Sequence, residues 1–344
     1  MRACLACLAQ VQQLPKQYAG IAQLVEHDLA KVGVASSSLV SRSSYPKRRP
    51  MCRRFAILRL VSLIPLTPST GFAAMPELKR SARSPIGVFD SGIGGLTVVR
   101  ALMERLPFED IIYFGDTARV PYGVKSVDTI RSFTTQIADY LLERDVKLLI
   151  IACNTMAAVA GEAVRERSPV PVLDVIDAGA RAAVEISRKG IGVIGTPTTV
   201  NSNAYARNIH ALNPDLHVYS QACPLFVPLV EEGWLDHEVT RLTAKEYLKP
   251  VFVESIDALV LGCTHYPLLK SLLQEVAGPG IKLVDSAVTI AEQTARVLTE
   301  MDMHNPQRQQ PAYRYVVTDV PLRFQSVGGR FLGRELTQLE QVRW

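Results

Sequence analysis

Three short apolar segments occur twice in the same order, and that repeat limits the possible folds more than any other feature. Ile86-Gly87-Val88-Phe89 returns 105 residues later as Ile191-Gly192-Val193-Ile194. Ile150-Ile151-Ala152-Cys153 returns after 110 residues as Val260-Leu261-Gly262-Cys263, and Leu173-Asp174 returns after 111 as Val284-Asp285. Matched segments at a nearly constant offset imply two halves of similar fold related by pseudo-symmetry. Apolar runs without polar alternation suit strands buried on both faces of a parallel sheet. In the first half these strands are predicted over 86–89, 111–115, 147–152 and 171–176. Helices are predicted over 96–106 and near 126–144. Alternating strands and helices place the chain in the α/β class, as two open parallel-sheet domains with the site at their interface. The expected first domain spans 85–180 plus a C-terminal return over 286–333, the second spans 181–285, and 334–344 form a tail.

Residues 1–84 do not share this pattern. They hold 13 of the 38 basic residues but only 3 of the 33 acidic ones, so the rest of the chain is acidic by five charges. The basic balance therefore belongs to the leader and gives the folded body no reason to bind nucleic acid through net charge. Gly20 to Ser43 resembles the peptide obtained when a transfer-RNA gene is read as protein. The leader is expected to be disordered or a mis-called start, with Met75 as the start in the latter case. Met51 to Ala74 mimics a secretory signal, but Arg59 interrupts its apolar run, which is also too short and charged to span a membrane. At 48% hydrophobic and 21% charged residues the whole chain is globular in composition, not disordered or collagen-like. Cys4, Cys7 and Cys52 lie in the leader and Cys153, Cys223 and Cys263 in the body. This is no disulfide framework and fits reduced thiols in a cytoplasmic protein.

Ligands of open α/β sheets sit beyond the carboxyl ends of the strands. The polar clusters of the body fall there: Asp90-Ser91-Gly92, Cys153-Asn154-Thr155, Gly195-Thr196 and Cys263-Thr264-His265. A buried cysteine at a strand end is usually a small hydrophobe, and this is the reading for Cys223. Cys153 and Cys263 differ because they end repeated strands and are flanked by Asn-Thr and Thr-His. Two thiols across one cleft suit two-base proton transfer with inversion at carbon. A free thiol has a pKa near 8.5, so one must be activated; Asp90 and His265 are the nearest candidates. Backbone N–H groups at helix starts after 91, 154 and 264 can hold carboxylates. Asp90 is also expected to cap the helix that follows it. Asp116 and Asp174 are read as caps or site residues, Glu231 as a solvated charge or a site residue. Gly92-Ile93-Gly94-Gly95 lacks dinucleotide spacing and no P-loop lysine follows it. No cofactor is expected. A zinc site from Cys153, Cys263, His265 and Asp90 is disfavoured by its short Cys-x-His spacing, so no metal is expected either.

Taken together, FDSGIGGLTV, YFGDTARVPYG, IACNT, ACPLFVPLVEEG and LGCTHYPL resemble the hallmarks of the glutamate racemase family over about residues 85–333. The resemblance implies cofactor-independent interconversion of L- and D-glutamate for bacterial peptidoglycan. It implies Cys263 as the acid/base acting on L-glutamate and Cys153 on D-glutamate, assisted by His265 and Asp90 respectively. The substrate contacts it implies are Asp90, Ser91, Tyr122, Gly123, Asn154, Thr155, Thr264 and His265, with Glu231, Thr196 and Thr199 added. Met156 and Thr198 depart from the family pattern, which usually has smaller residues there. The alternative is a related racemase or isomerase acting on aspartate or another amino acid; the aspartate relatives usually carry Glu at the position of His265. A non-enzymatic reading is an amino-acid-binding protein, or a partner of nucleic-acid machinery through the leader. Glutamate is the expected partner, a nucleic acid or membrane is not, and a homodimer is left open.

Overall fold

The structure is a computed structural model and describes residues 80–320 and 324–344. The expectations for the leader up to residue 79, its signal-like stretch, its start at Met75 and its cysteines lie outside the described residues. The described residues form ten strands: β1 (Ile86–Asp90), β2 (Ile111–Gly115), β3 (Leu148–Ile151), β4 (Val172–Asp174), β5 (Gly190–Gly195), β6 (His217–Ala222), β7 (Ala258–Gly262), β8 (Lys282–Asp285), β9 (Tyr313–Val317) and β10 (Leu339–Gln341). They form a six-stranded sheet, β10-β9-β2-β1-β3-β4, and a four-stranded sheet, β6-β5-β7-β8. All pairings are parallel. Without β9 and β10 the first sheet has the strand order of the second.

The repeat extends to register. Phe89 lies opposite Ile151 and Ile194 opposite Leu261. Ile151 in turn lies opposite Asp174, and Leu261 opposite Asp285. Matched residues thus hold matched places in both sheets, and Cys153 and Cys263 follow equivalent strand ends. The inner strands β1, β2, β3, β5 and β7 are buried throughout, as apolar runs in a helix-covered parallel sheet require. Among the described residues no helix is long and apolar enough to cross a membrane.

Three features differ in detail from the sequence reading. The predicted strand over 171–176 stops at Asp174, and Val175 and Ile176 open the helix Val175–Ile186. The cause is local: the Asp174 carboxylate accepts the N–H groups of Ile176 at 2.8 Å and Asp177 at 2.9 Å, capping the helix. This helix runs without a break through residue 180, and its Ile176, Ala180 and Ala183 pack into a core with Ile191, Val193, Val260 and Val284 of the second sheet. Within 334–344, Leu339–Gln341 is the edge strand of the first sheet. Trp344 lies with its ring 5.7 Å from those of both Phe114 and Tyr140.

At the amino ends of the first sheet a buried ion pair joins three distant segments. Lys147 Nζ donates to Glu109 Oε2 at 2.6 Å, to the Ala82 carbonyl at 2.6 Å and to the Met303 carbonyl at 2.8 Å. Burial lowers the Lys147 pKa, and the Glu109 carboxylate opposes that shift. Removing one member of such a pair strands the other charge in the interior. Glu109→Ala is therefore expected to destabilise the body by about 3 kcal/mol in urea unfolding. A loss below about 1 kcal/mol would mean that the two carbonyls suffice for the ammonium group.

Candidate active site

Asp90 ends β1 and is 1% exposed. Its Oδ2 accepts the Gly92 N–H at 2.9 Å. It is not the helix cap expected from sequence, because the helix Leu96–Arg105 starts later, with Gly95 in the cap position. Asp90 instead shapes the turn 91–95, while Tyr113 Oη donates to the Gly92 carbonyl at 2.8 Å. Burial raises the Asp90 pKa, partly offset by the Gly92 N–H and by His265. The turn must lie close to the second half: a Cβ on Gly94 would stand 2.2 Å from Thr264 Oγ1 and 2.6 Å from His265 Nδ1. Only glycine fits there.

Cys153 is buried and occupies the N-cap position of the helix Asn154–Arg167. Its Sγ lies 3.4 Å from Ser91 Oγ. Burial and the nearby Asp90 push this thiol up to about 12, against hydrogen bonds from Ser91 and the Met156 N–H. Burial thus favours the protonated thiol form of Cys153. Met156 is itself fully buried in the core under this helix start.

Cys263 has different neighbours. Its Sγ lies 4.0 Å from His265 Nδ1, and His265 Nε2 lies 2.9 Å from Glu231 Oε1. Glu231 ends the short helix Phe226–Glu231, so it is not merely a solvated helix charge. Burial alone would lower the His265 pKa; the Cys263 sulfur and the Glu231 carboxylate outweigh it and raise the group to about 10. An imidazolium thus stands between a sulfur and a carboxylate. Phe331 closes its flank edge-on, with ring centroids 5.0 Å apart.

The two tip clusters meet across the seam between the sheets. Thr264 Oγ1 donates to Asp90 Oδ1 at 3.5 Å, and Thr97 Oγ1 donates to the Thr264 carbonyl at 3.0 Å. Thr155, Thr196 and Thr199 form a hydroxyl cluster, with Thr155 to Thr196 at 3.0 Å and Thr196 to Thr199 at 3.0 Å. Tyr205 Oη donates to Asn154 Oδ1 at 2.7 Å. Thr198, the departure noted in the sequence, donates its hydroxyl to the Gly123 carbonyl at 2.7 Å and ties loop 120–125 to the second half. Contacts of 2.9 to 4.0 Å thus join Ser91 to Cys153, Asp90 to Thr264, and Cys263 through His265 to Glu231, with Asn154 and Thr155 following Cys153 in the chain.

Tyr122 is placed differently from the rest. Its hydroxyl donates to Asp116 Oδ2. Asp116 is fully buried and also receives Arg119 Nε at 2.6 Å and Thr318 Oγ1 at 2.9 Å. Asp116 takes the N-cap position of the short helix Thr117–Arg119, but its carboxylate makes no cap hydrogen bond and is instead a hub beneath the loop. Thr97 and Tyr205 escape the sequence reading as site-supporting residues, whereas Asp116 stands there as a cap or a site residue by its place just after the tip of β2. Among the described residues no group of three or more His, Cys, Asp and Glu side chains is arranged to hold a metal ion.

Against this geometry the relatives are informative. Residues 86–294 match the family described as Asp/Glu/hydantoin racemase. A glutamate racemase of Syntrophus aciditrophicus is 70% identical over 259 residues, covering 75% of this chain and 96% of that protein. One of Neisseria meningitidis is 64% identical over 260 residues, with the same shares. The solved glutamate racemase of Francisella tularensis, in complex with D-glutamate, superposes with a TM-score of 0.72 at 48% identity, covering 76% of this chain and 98% of that one. The chain belongs to the Asp/Glu/hydantoin racemase family. It is an amino-acid racemase, an isomerase.

Two outcomes follow from the site. Gly94→Ala is expected to wedge the turn from Thr264 and His265 and to lower racemase activity by about a hundredfold, read in a steady-state assay. Wild-type turnover would show that the turn yields. The pH dependence has a definite sign: a folded-state pKa of about 10, above the ordinary 6.5, stabilises the fold fully below pH 6.5 and loses this effect as pH rises to 10. The stability deficit of His265→Gln should therefore be largest at pH 6 and shrink by pH 10 in urea titrations. A deficit independent of pH would show that folding leaves the His265 pKa unshifted.

Proposed function

We propose that this chain interconverts L- and D-glutamate by two-base proton transfer between Cys153 and Cys263. The observation that carries the reading is the position of the two thiols. They follow equivalent ends of matched strands, β3 and β7, in sheets whose tip residues touch across one seam. Two acid/bases held by a pseudo-twofold frame can address opposite faces of one carbon. The glutamate racemases named above support glutamate as the substrate.

On L-glutamate, Cys263 acts as thiolate and takes the α-proton, with the His265 imidazolium beside its sulfur. The carbanion left at Cα spreads its charge onto the α-carboxylate. Cys153, a thiol through burial, gives its proton to the opposite face and becomes a thiolate. The reverse direction starts with Cys153 as base, and Asp90 and Ser91 hold that side of the site. The N–H groups at the start of helix Asn154–Arg167 and the side chains of Asn154, Thr155, Thr196, Thr199 and Thr264 take the substrate's polar groups. Tyr122 and Gly123 border it through their loop, and Glu231 acts through His265. The thiols supply both acid and base, so the reaction needs no cofactor. Each of two α/β domains brings one thiol. The D-glutamate made would serve bacterial peptidoglycan synthesis in the cytoplasm.

The test is α-carbon exchange in heavy water with D- and L-glutamate, using wild type, Cys153→Ser and Cys263→Ser. Deuterium is expected in the inverted product of wild type, and each variant should lose racemisation by at least about a thousandfold. Exchange with aspartate or another amino acid but not glutamate would retain the mechanism and overturn the substrate. Undiminished racemisation in either variant would overturn the two-thiol mechanism.

A further inference from the structure

We infer that Tyr205 is a positioning residue that fixes the orientation of the Asn154 carboxamide, so that its NH2 group faces the substrate and binds a carboxylate oxygen. The inference rests on the proposed reading of the site and deepens it. Asn154 directly follows Cys153 and is 2% exposed. Its Oδ1 accepts the Tyr205 hydroxyl at 2.7 Å, whereas its Nδ2 is buried without an acceptor among the described residues. A buried amide normally has its hydrogen bonds satisfied. A carboxamide NH2 can only donate, so the group that completes Asn154 must be an acceptor: a substrate carboxylate, not its ammonium group.

A carboxamide can be turned end for end. The Tyr205 hydroxyl can accept as well as donate, but with the amide turned its single proton would be left with only the Val175 carbonyl. The Val175 carbonyl, its other neighbour, is 3.5 Å away, at the limit of a hydrogen bond, while Asn154 Oδ1 is at an optimal distance. Burial, with Asp174 and Cys263 nearby, raises the phenol pKa and keeps it a donor.

The ring is also tightly held. A Cβ on Gly179 would lie 3.2 Å from Tyr205 Cε1 and Oη, and a Cβ on Gly262 would lie 3.1 Å from Cε2. Tyr205 belongs to the helix Ala204–Leu212 in the second half, and Asn154 stands at the tip of the first sheet. The second half thus orders a group beside the first half's thiol without touching the thiol itself.

The decisive variant is Tyr205→Phe, which keeps the ring between the two glycines and removes only the proton donor. Without it the carboxamide samples both orientations and the competent fraction falls. KM for both glutamate enantiomers is expected to rise about fivefold with a smaller change in kcat. Asn154→Ala should raise KM as well, and Tyr205→Phe should add nothing in that background. Unchanged KM in Tyr205→Phe would overturn the inference, as would effects of the two substitutions that multiply. A thermal midpoint measured alongside separates lost folding from lost orientation. Should wild type not act on glutamate, the proposed function fails while the inference is still decided by the side-chain NH2 signals of 15N-labelled protein. The Asn154 pair, assigned by its loss in Asn154→Ala, should be a single sharp pair in wild type and broadened or doubled in Tyr205→Phe. An unaltered pair would overturn the inference.

Discussion

Strand-tip side chains of each sheet take hydrogen-bond partners from the other half, and the rest of the site depends on that. Asp90 meets Thr264, Thr155 meets Thr196, Asn154 meets Tyr205, and Gly123 receives Thr198, each pair drawn from opposite halves. A buried polar group left without a partner costs about 1–3 kcal/mol, so contacts of this kind specify how the halves sit as well as joining them. The seam contacts are mostly single hydrogen bonds between small side chains. Glycine at position 94 is what allows the turn after β1 to come within reach of Thr264 and His265. The site is assembled by the same contacts that align the two halves.

The same frame surrounds its two thiols with different chemistry. Cys153 stands at a helix start with a neutral hydroxyl and a buried acid nearby, and is held as a thiol. Cys263 stands beside an imidazolium whose far nitrogen is held by a carboxylate. Backbone symmetry fixes where the sulfurs stand, and the side chains around them set their electrostatic surroundings. Position comes from the repeat and environment from its departures, because Ser91 and His265 occupy non-equivalent places after their strands.

Much of this was legible in the sequence because it is local or periodic. The strand cores declare themselves as apolar runs, and the repeat of Cys153 as Cys263 marks two thiols at equivalent strand tips. Where local cues misled, a side chain was responsible: Asp174 turned the end of an apolar run into a helix start, and Asp90 was spent on a turn instead of a cap. What stayed hidden is long-range. Tyr205 follows Asn154 by 51 positions and Thr318 follows Asp116 by 202. No spacing rule connects such residues, because their contact exists only once both sheets are folded and facing. The edge strand Leu339–Gln341 was unreadable for a related reason: it is short and mostly exposed, and carries little apolar signal.

A racemase has a particular need of such a frame. Its substrate and product are mirror images at one carbon, so a site with one acid/base could exchange a proton on one face but not deliver it to the other. A duplicated half with equal strand order and register supplies two equivalent positions at no cost in new architecture. Strict symmetry would be a defect, however, since a turnover needs one sulfur charged and the other protonated at its start. In this chain Asp90 and Ser91 beside Cys153, and the Glu231–His265 pair beside Cys263, give the two thiols different electrostatic neighbours. Under the proposed mechanism each turnover exchanges the protonation states of the two sulfurs. The frame then has to tolerate both charge distributions, and single hydrogen bonds across the seam can adjust to that where interlocked apolar packing could not.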